Sequence, residues 1–252
     1  MNSFLQMPDL NSVQWVVVII TGFLVGFSKT GINGVAMLAI PILAGVFGGK
    51  DSTGIMLPML LVGDLFATWY YRHNVEWKNV IAPLPWAFVG LVLGVVLGNY
   101  LNDRTFVVLI GAIVLLCLSI LIYTEMKGKD FTVPSSAGFY ILVGILSGFA
   151  SMIGNAAGPI FSIYLLALGF KKNNLMGTNA WFFFAINLTK LPLQAFLWNN
   201  IGLKSWKVTL MMLPVITIGA VLGFLVLKKI NEKYFRYLVI AMTAVAALRL
   251  LF

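Results

Sequence analysis

Long apolar segments recur from one end of this chain to the other, and they constrain its fold more than any other feature. A window of about 20 residues, the length of helix that crosses a bilayer, finds ten of them separated by short loops. We therefore predict an all-α, polytopic integral membrane protein. The segments are residues 13–29, 32–48, 54–72, 79–99, 105–124, 138–153, 156–170, 177–198, 206–228 and 234–252.

The composition also indicates that lipid surrounds most of the chain. Of the 252 residues, 60% are hydrophobic and 10% are charged, and the mean hydropathy is +0.97. A soluble domain carries about 25% charged residues, and a soluble core could not hide this much apolar surface. The first segment follows no charged region and precedes no A-x-A-like cleavage site, so we expect it to remain in the mature protein.

The loop charges predict how the chain is oriented in its membrane. If every segment crosses the bilayer, one side collects four lysines and arginines and the other collects eleven. Positive residues accumulate in cytoplasmic loops, so the richer side should be cytoplasmic and both termini should lie outside. The same distribution explains the net charge of +9 without a nucleic-acid partner, because the basic residues lie between apolar segments and form no single patch.

The chain contains an internal repeat of residues 1–126 in residues 127–252. Matching residues recur at an offset of 122 and, after a small insertion, at an offset of 129. Each copy holds five segments, an odd number, so the second copy should enter the membrane from the opposite side. Inverted repeats are a recurring design of secondary transporters, whose substrate site lies near the midplane between the halves. The matches include Gly22/Gly144, Gly26/Gly148, Phe27/Phe149, Asn33/Asn155, Lys50/Lys172, Trp77/Trp206, Pro85/Pro214, Gly90/Gly219 and Gly94/Gly223.

Each repeat begins with two apolar arms joined at a polar, glycine-containing junction, "GFSKTGING" in the first copy and "GFASMIGNAAGP" in the second. An arm of about 16 residues makes about 24 Å of helix, which is marginal for a bilayer core of about 30 Å. We expect broken or hairpin helices whose N-termini near Asn33 and Asn155 present free N–H groups to an anion. The GxxxG pairs are more typical of close helix packing. The sequence leaves open whether the junctions at 29–34 and 151–158 are re-entrant hairpins or full crossings.

Asp64 and Lys190 lie near the middle of apolar segments, where ionisable residues are functional candidates. Lys190 either neutralises an anion directly or forms an ion pair with Asp64. Asp64 either carries a coupling proton or gates the lysine. Alignment of Gly54 with Gly177 places Asp64 opposite Asn187, on the two sides of a central cavity.

Further polar residues in the apolar segments are candidates for an anion path. Lys29, beside Thr30, is the second basic candidate; alternatively its side chain reaches the cytoplasmic surface. Hydroxyl and amide groups can donate to an oxyanion, although serine and threonine also bond back to helix carbonyls. The uncharged candidates are Ser151, Thr178, Asn179, Asn187 and Thr189.

Catalytic, metal and nucleotide sites find little support. The chain has one cysteine, Cys117, and one histidine, His73, in separate segments, which leaves no disulfide framework and no cluster of metal ligands. We expect no metal, no cofactor and no enzymatic activity. No G-x-x-x-x-G-K-[ST] motif appears, so an ion gradient or the anion's own gradient should drive transport.

The same residues resemble the TauE/SafE sulfite exporter family. The resemblance rests on the first junction followed by Pro41, on "SGFASMIGNAAGP" and, most specifically, on "GTNAWFFFAINLTK", and it covers essentially the whole chain. It implies a carrier of sulfur-containing anions such as sulfite, sulfonates and sulfoacetate in a bacterial or archaeal inner membrane. The first junction departs from the family's nearly unbroken glycine run, because Lys29, Thr30 and Asn33 interrupt it.

Our hypothesis is a secondary transporter that exports a small sulfur-containing oxyanion, sulfite or an organosulfonate, held between the two repeats at the midplane. The expected partners are this anion and membrane lipid, and the sequence is compatible with a homodimer. The alternatives are a passive anion channel and a membrane enzyme or assembly factor.

The orientation gives a first prediction, at the loop between the two repeats. A cysteine replacing Lys127, in a chain whose Cys117 is changed to alanine, should react only after a thiol reagent has entered the cell, because eleven basic residues mark that side as cytoplasmic. Labelling of intact cells with permeant and impermeant reagents checks this. Reaction of intact cells with the impermeant reagent would show that the predicted orientation is wrong.

Overall fold

The computed structural model describes residues 8–32, 35–102 and 137–231, together with residues 104–105, 108, 119, 234, 237–238, 241 and 245. All regular structure within these ranges is helical. The predicted segments 105–124 and 234–252 lie almost entirely outside the described residues. The helices are α1 (Ser12–Thr30), α2 (Ala39–Phe47), α3 (Gly49–Tyr70), α4 (Trp77–Ile81), α5 (Leu84–Gly98), α6 (Ala137–Gly154), α7 (Ala157–Ala167), α8 (Lys172–Leu193) and α9 (Leu203–Lys229).

Five stretches of the described chain are long and apolar enough to cross a membrane. Two of them join consecutive elements, because α4 runs on into α5 and a π-helical turn, Gln194–Trp198, extends α8 beyond Pro192. The other predicted segments within the described ranges form shorter helices. The spanning stretches are Ser12–Thr30, Gly49–Tyr70, Trp77–Gly98, Lys172–Trp198 and Leu203–Lys229.

Local sequence explains where the first helix begins and ends. Asn11 caps α1, since its Oδ1 accepts from the Gln14 backbone N–H at 2.9 Å while its own N–H donates to Gln14 Oε1 at 3.0 Å. This reciprocal pair satisfies two amides that a helix N-terminus leaves free. At the other end, Gly31 donates to the Phe27 carbonyl at 2.9 Å and ends the helix. The chain then turns into a short 3₁₀ helix, Val35–Leu38.

The α-helix that follows each junction is short. The α2 helix has 9 residues and α7 has 11. At 1.5 Å per residue they reach only about 14 and 17 Å, roughly half of a bilayer core of about 30 Å. Both junctions therefore lead into helices that end well before a full membrane thickness.

Polar side chains lie inside the bundle and apolar side chains cover its surface. Along α1, Val13, Val16 and Ile19 are exposed, whereas Thr21 and Ser28 are buried. Water would oppose this arrangement, but a bilayer favours it, because hydrocarbon accepts apolar side chains and leaves polar groups to find partners within the protein.

Glycines allow two pairs of helices to pack backbone to backbone. The most extensive contacts join α1 to α9 and α5 to α6. A Cβ atom on Gly26 would lie 2.1 Å from the Ile216 carbonyl oxygen, and one on Gly148 would lie 1.9 Å from the Ala87 carbonyl oxygen. No side chain fits at either position, so both crossings require glycine.

These close contacts are reciprocal between the two halves of the sequence. Gly26 and Gly148 are 122 residues apart, and their partners Ala87 and Ile216 are 129 apart. The same offsets relate the contact of Gly90 with Ile145 to that of Phe23 with Gly219. The contacts of Gly54 with Asn200 and of Gly177 with Asn74 are also exchanged, at offsets of 123 and 126. The first helix of each half thus packs against the later helix of the other half.

The crossing of α5 and α6 gives a stability prediction. Gly148→Ala should lower the free energy of unfolding by about 1–3 kcal/mol, because the added methyl group forces the two backbones apart. Gly138→Ala, on the same helix, is the matched control, since a Cβ atom there meets nothing within 4 Å. Thermal unfolding of the detergent-solubilised variants measures both effects. Equal melting temperatures would contradict the close crossing.

Candidate functional site

A buried ion pair joins the end of α1 to the middle of α3. The Lys29 Nζ atom lies 2.6 Å from Asp64 Oδ1, and the two side chains are 13% and 0% exposed. The lysine stem passes over Gly63, where a Cβ atom would come within 2.9 Å of Lys29 Cγ. Lys29 therefore points inward to Asp64.

Asn187 completes the contacts of the carboxylate. Its Nδ2 donates to Asp64 Oδ2 at 2.7 Å, so the two residues are in direct contact, whereas the repeat alignment placed them on the two sides of a central cavity. The Lys29 ammonium also lies 5.1 Å from the centroid of the Phe183 ring, at cation–π distance. The aspartate thus holds groups from α1 and α8 together.

Lys190 is fully buried and has partners other than Asp64. Its Nζ donates to the Ser151 carbonyl oxygen at 2.7 Å, to Ser151 Oγ at 3.3 Å, and to Asn155 Oδ1. These acceptors all lie at the junction of α6 and α7. The ion pair of Asp64 forms with Lys29, whereas the sequence had offered Lys190 for that contact.

The second junction is a tight turn built around Asn155. Its φ angle of 55° lies in the left-handed region, which asparagine tolerates better than most side chains. Its N–H donates to the Ser151 carbonyl at 3.0 Å, and the Ala156 N–H donates to the Ala150 carbonyl at 3.1 Å. The α7 helix begins at Ala157 and no side chain caps it, so its first amides stay available to another acceptor.

A small cavity separates the ion pair from this turn. Its volume is about 40 Å³, room for about three water molecules at 10–15 Å³ each. Asn155 Nδ2 is buried and has no hydrogen-bond partner. Both halves of the sequence contribute to the wall, which consists of Ser28, Lys29, Ala36, Leu60, Ser151, Asn155, Ala157, Gly158, Phe183 and Asn187.

The structure gathers only some of the candidate residues at this cavity. Lys29, Ser151, Asn155 and Asn187 line it, while Asp64 and Lys190 lie directly behind the wall as partners of those residues.

The remaining candidates make contacts that do not involve the cavity. Thr30 donates to the Ala220 carbonyl at 2.5 Å and ties α1 to α9. Thr178 accepts from the Glu76 N–H at 3.0 Å, and Asn179 donates to Ser162 Oγ at 3.2 Å. Thr189 bonds back to the Ala185 carbonyl at 2.8 Å. Asn33, predicted to shape the first junction, lies outside the described residues.

Sequence reasoning missed several wall residues. Phe183 precedes Asn187 by four positions, the spacing of one helix face, which is the signal that could have found it. Ser28 stands beside Lys29, and its hydroxyl donates to the Ile32 carbonyl at 3.2 Å. Ala36 and Leu60 are apolar and carry no chemical signal in the sequence.

The comparisons with known proteins gave one family match. The family model described as "Sulfite exporter TauE/SafE" matches residues 18–250, nearly the whole chain. The curated proteins and the solved structures contain no match.

The ion pair gives a prediction for stability. Asp64→Leu or Lys29→Met alone should lower the free energy of unfolding by about 3–5 kcal/mol, because each leaves an unpaired charge buried. The double variant should lose much less than the sum of the two. Thermal unfolding of all four proteins completes the cycle, with Lys228→Met as an exposed-lysine control. Additive losses would show that the pair does not couple α1 to α3.

Proposed function

Since this chain belongs to the TauE/SafE family of sulfite exporters, we propose that it is a secondary transporter that carries a small sulfur-containing oxyanion out across the plasma membrane. The anion is held in the cavity between the two repeats, near the midplane. The observation that carries this proposal is the cluster of buried charges at the cavity: two lysines, Lys29 and Lys190, accompany one carboxylate, Asp64.

The balance of charge favours an anionic guest. With all three groups ionised, the cluster holds one positive charge in excess, and buried charge in a membrane is costly unless it is balanced. Sulfite and sulfonates bring negative charge together with several acceptor oxygens. A cationic or purely apolar substrate would leave the excess positive charge unbalanced.

The remaining wall provides donors for oxyanion oxygens. The uncapped N-terminus of α7 carries partial positive charge and faces the cavity through Ala157 and Gly158. Asn155 Nδ2 is a buried donor without a partner at the same wall. Donors from a helix terminus, an amide and an ammonium suit a compact group with three oxygens. The cavity is small, so the head group of the anion should dominate recognition.

The exchanged contacts of the two halves support a mechanism of alternating access. Reciprocal contacts, in which position i of one copy meets position j of the other and the reverse, are typical of a twofold relation. If each repeat has five crossings, this axis lies in the membrane plane and the repeats are inverted, with both termini outside. Rocking one half against the other would then open the cavity first to one side and then to the other.

Asp64 provides a route to coupling. The carboxylate and the anion compete for the Lys29 ammonium, because each offers oxygens to the same donor. Protonation of Asp64 would release Lys29 to the anion. Loss of that proton would restore the carboxylate, which would displace the anion from Lys29. Anion and proton would therefore cross together, so the anion's own outward gradient, or a proton gradient that points the same way, would drive export.

Flux measurements test the proposal. In proteoliposomes, the protein should move labelled sulfite, and sulfate, taurine and sulfoacetate are compared under the same conditions. A pH gradient should accelerate the flux when its more acidic side is the side from which the anion moves. Lys29→Gln should reduce the flux at least about tenfold, since it removes a charge-assisted contact of about 1.5–3 kcal/mol. The exposed Lys229→Gln should transport like the unaltered protein.

Asp64→Asn separates coupling from binding in the same assay. It should retain anion binding but lose the acceleration by the pH gradient. Failure of the unaltered protein to move or bind any of these anions would refute the proposed function. Flux without counterflow would favour the passive channel.

A further inference from the structure

We propose that Lys190 is a positioning residue, which holds the turn between α6 and α7 in shape, and that Lys29 supplies the charge that the anion meets. This inference rests on the proposed function, because it divides the work at that same site between two lysines. From sequence alone both lysines were candidates for direct anion contact.

The hydrogen bonds of Lys190 leave it no donor for a substrate. An ammonium group has three protons, and three acceptors surround it: the Ser151 carbonyl oxygen, Ser151 Oγ and Asn155 Oδ1. Its side chain is 0% exposed, and it is not among the residues that line the cavity. An anion in the cavity would have to break these bonds to reach it.

The charge of Lys190 is also partly stabilised where it lies, although the cluster as a whole keeps its excess positive charge. Ser151 is in the last turn of α6, whose carbonyl end carries partial negative charge. A cation at that end is stabilised by the helix dipole, which accounts for a buried lysine without a carboxylate partner among the described residues. Lys29 differs, because it lines the cavity and is held by Asp64, a group that a second anion can replace.

Lys190 also determines which end of the Asn155 amide is free. A lysine can only donate, so the oxygen of that amide must face Nζ. The nitrogen, Nδ2, is then the end without a partner, and Asn155 lines the cavity. The same contact holds a residue whose backbone is in the left-handed region, immediately before the first turn of α7. Lys190 thus acts on the anion through Asn155 and the α7 N-terminus.

Two variants separate this role from a direct charge contact. Lys190→Gln removes the charge but keeps two N–H donors, whereas Lys190→Met removes the charge and all donors at similar length. We expect Lys190→Met to lower anion transport about tenfold or more, because the Ser151 and Asn155 acceptors lose their partner. Lys190→Gln should lower it only about threefold. Equal losses in the two variants would overturn the inference.

The ratio of dianion flux to monoanion flux is a measurement that loss of structure alone would not change. Proteoliposomes are loaded with sulfate, a dianion, or with methanesulfonate, a monoanion with a similar head group. A lysine that touches the substrate attracts the dianion more strongly, so Lys29→Gln should shift the ratio of the two fluxes toward the monoanion. Both Lys190 variants should preserve the ratio of the unaltered protein. A shift with Lys190→Gln and none with Lys29→Gln would reverse the two roles while leaving the proposed function standing.

A double-variant cycle decides the matter if Lys190→Met does not fold. Asn155→Gly removes the amide and still permits the left-handed backbone. In that background Lys190→Gln should have little further effect on transport, because its main route to the anion is gone. An undiminished effect would show that Lys190 acts on the anion directly. Absence of anion transport by the unaltered protein would instead refute the proposed function itself.

Discussion

The contact between Lys29 and Asp64 is the interaction on which the rest of the site depends. It places a cation and an anion in the interior of a bundle whose surface is apolar, and each is tolerable there because the other is present. Through Asn187 the same carboxylate reaches α8, so one side chain connects helices from both halves of the chain. The cavity lies beside this contact, because Lys29 and Asn187 line its wall and Asp64 lies directly behind them.

Close helix packing surrounds these charges. Where α1 crosses α9 and α5 crosses α6, glycine brings the backbones into contact. Irregular backbone lies next to the charges, at the turn around Asn155, where side-chain and main-chain donors replace the missing helical bonds. A membrane tolerates such a turn only if protein encloses it, and Lys190 is part of that enclosure.

The sequence singled out several of these residues without predicting their contacts. Alignment of the two copies placed Asp64 and Asn187 on the two sides of a cavity, whereas they are hydrogen-bonded to each other. Lys190 stood out as a charge in an apolar segment, but its acceptors at the turn around Asn155 were not predicted. The pairing of Lys29 could not be predicted, because a lysine near a helix end reaches either inward or to the surface depending on a neighbour such as Gly63. Thr178 shows the converse limit, since a polar residue within an apolar helix satisfies a loop amide and never reaches the cavity.

The two halves place their charges differently, and this limits what their symmetry can do. Ser151 occupies the position 122 residues after Lys29, so the cation of the first half lies on its first helix, whereas Lys190 lies on the third helix of the second half. In the proposed transporter, an exchange of conformations between the halves would therefore produce two states with unequal surroundings for the same anion. The anion would then bind with different affinities when the cavity opens to one side and to the other. This difference in binding free energy sets the equilibrium between the two conformations but cannot by itself drive net transport. Direction must then come from the gradient, and a titratable group in contact with Lys29 is the means by which a proton gradient would act on this anion.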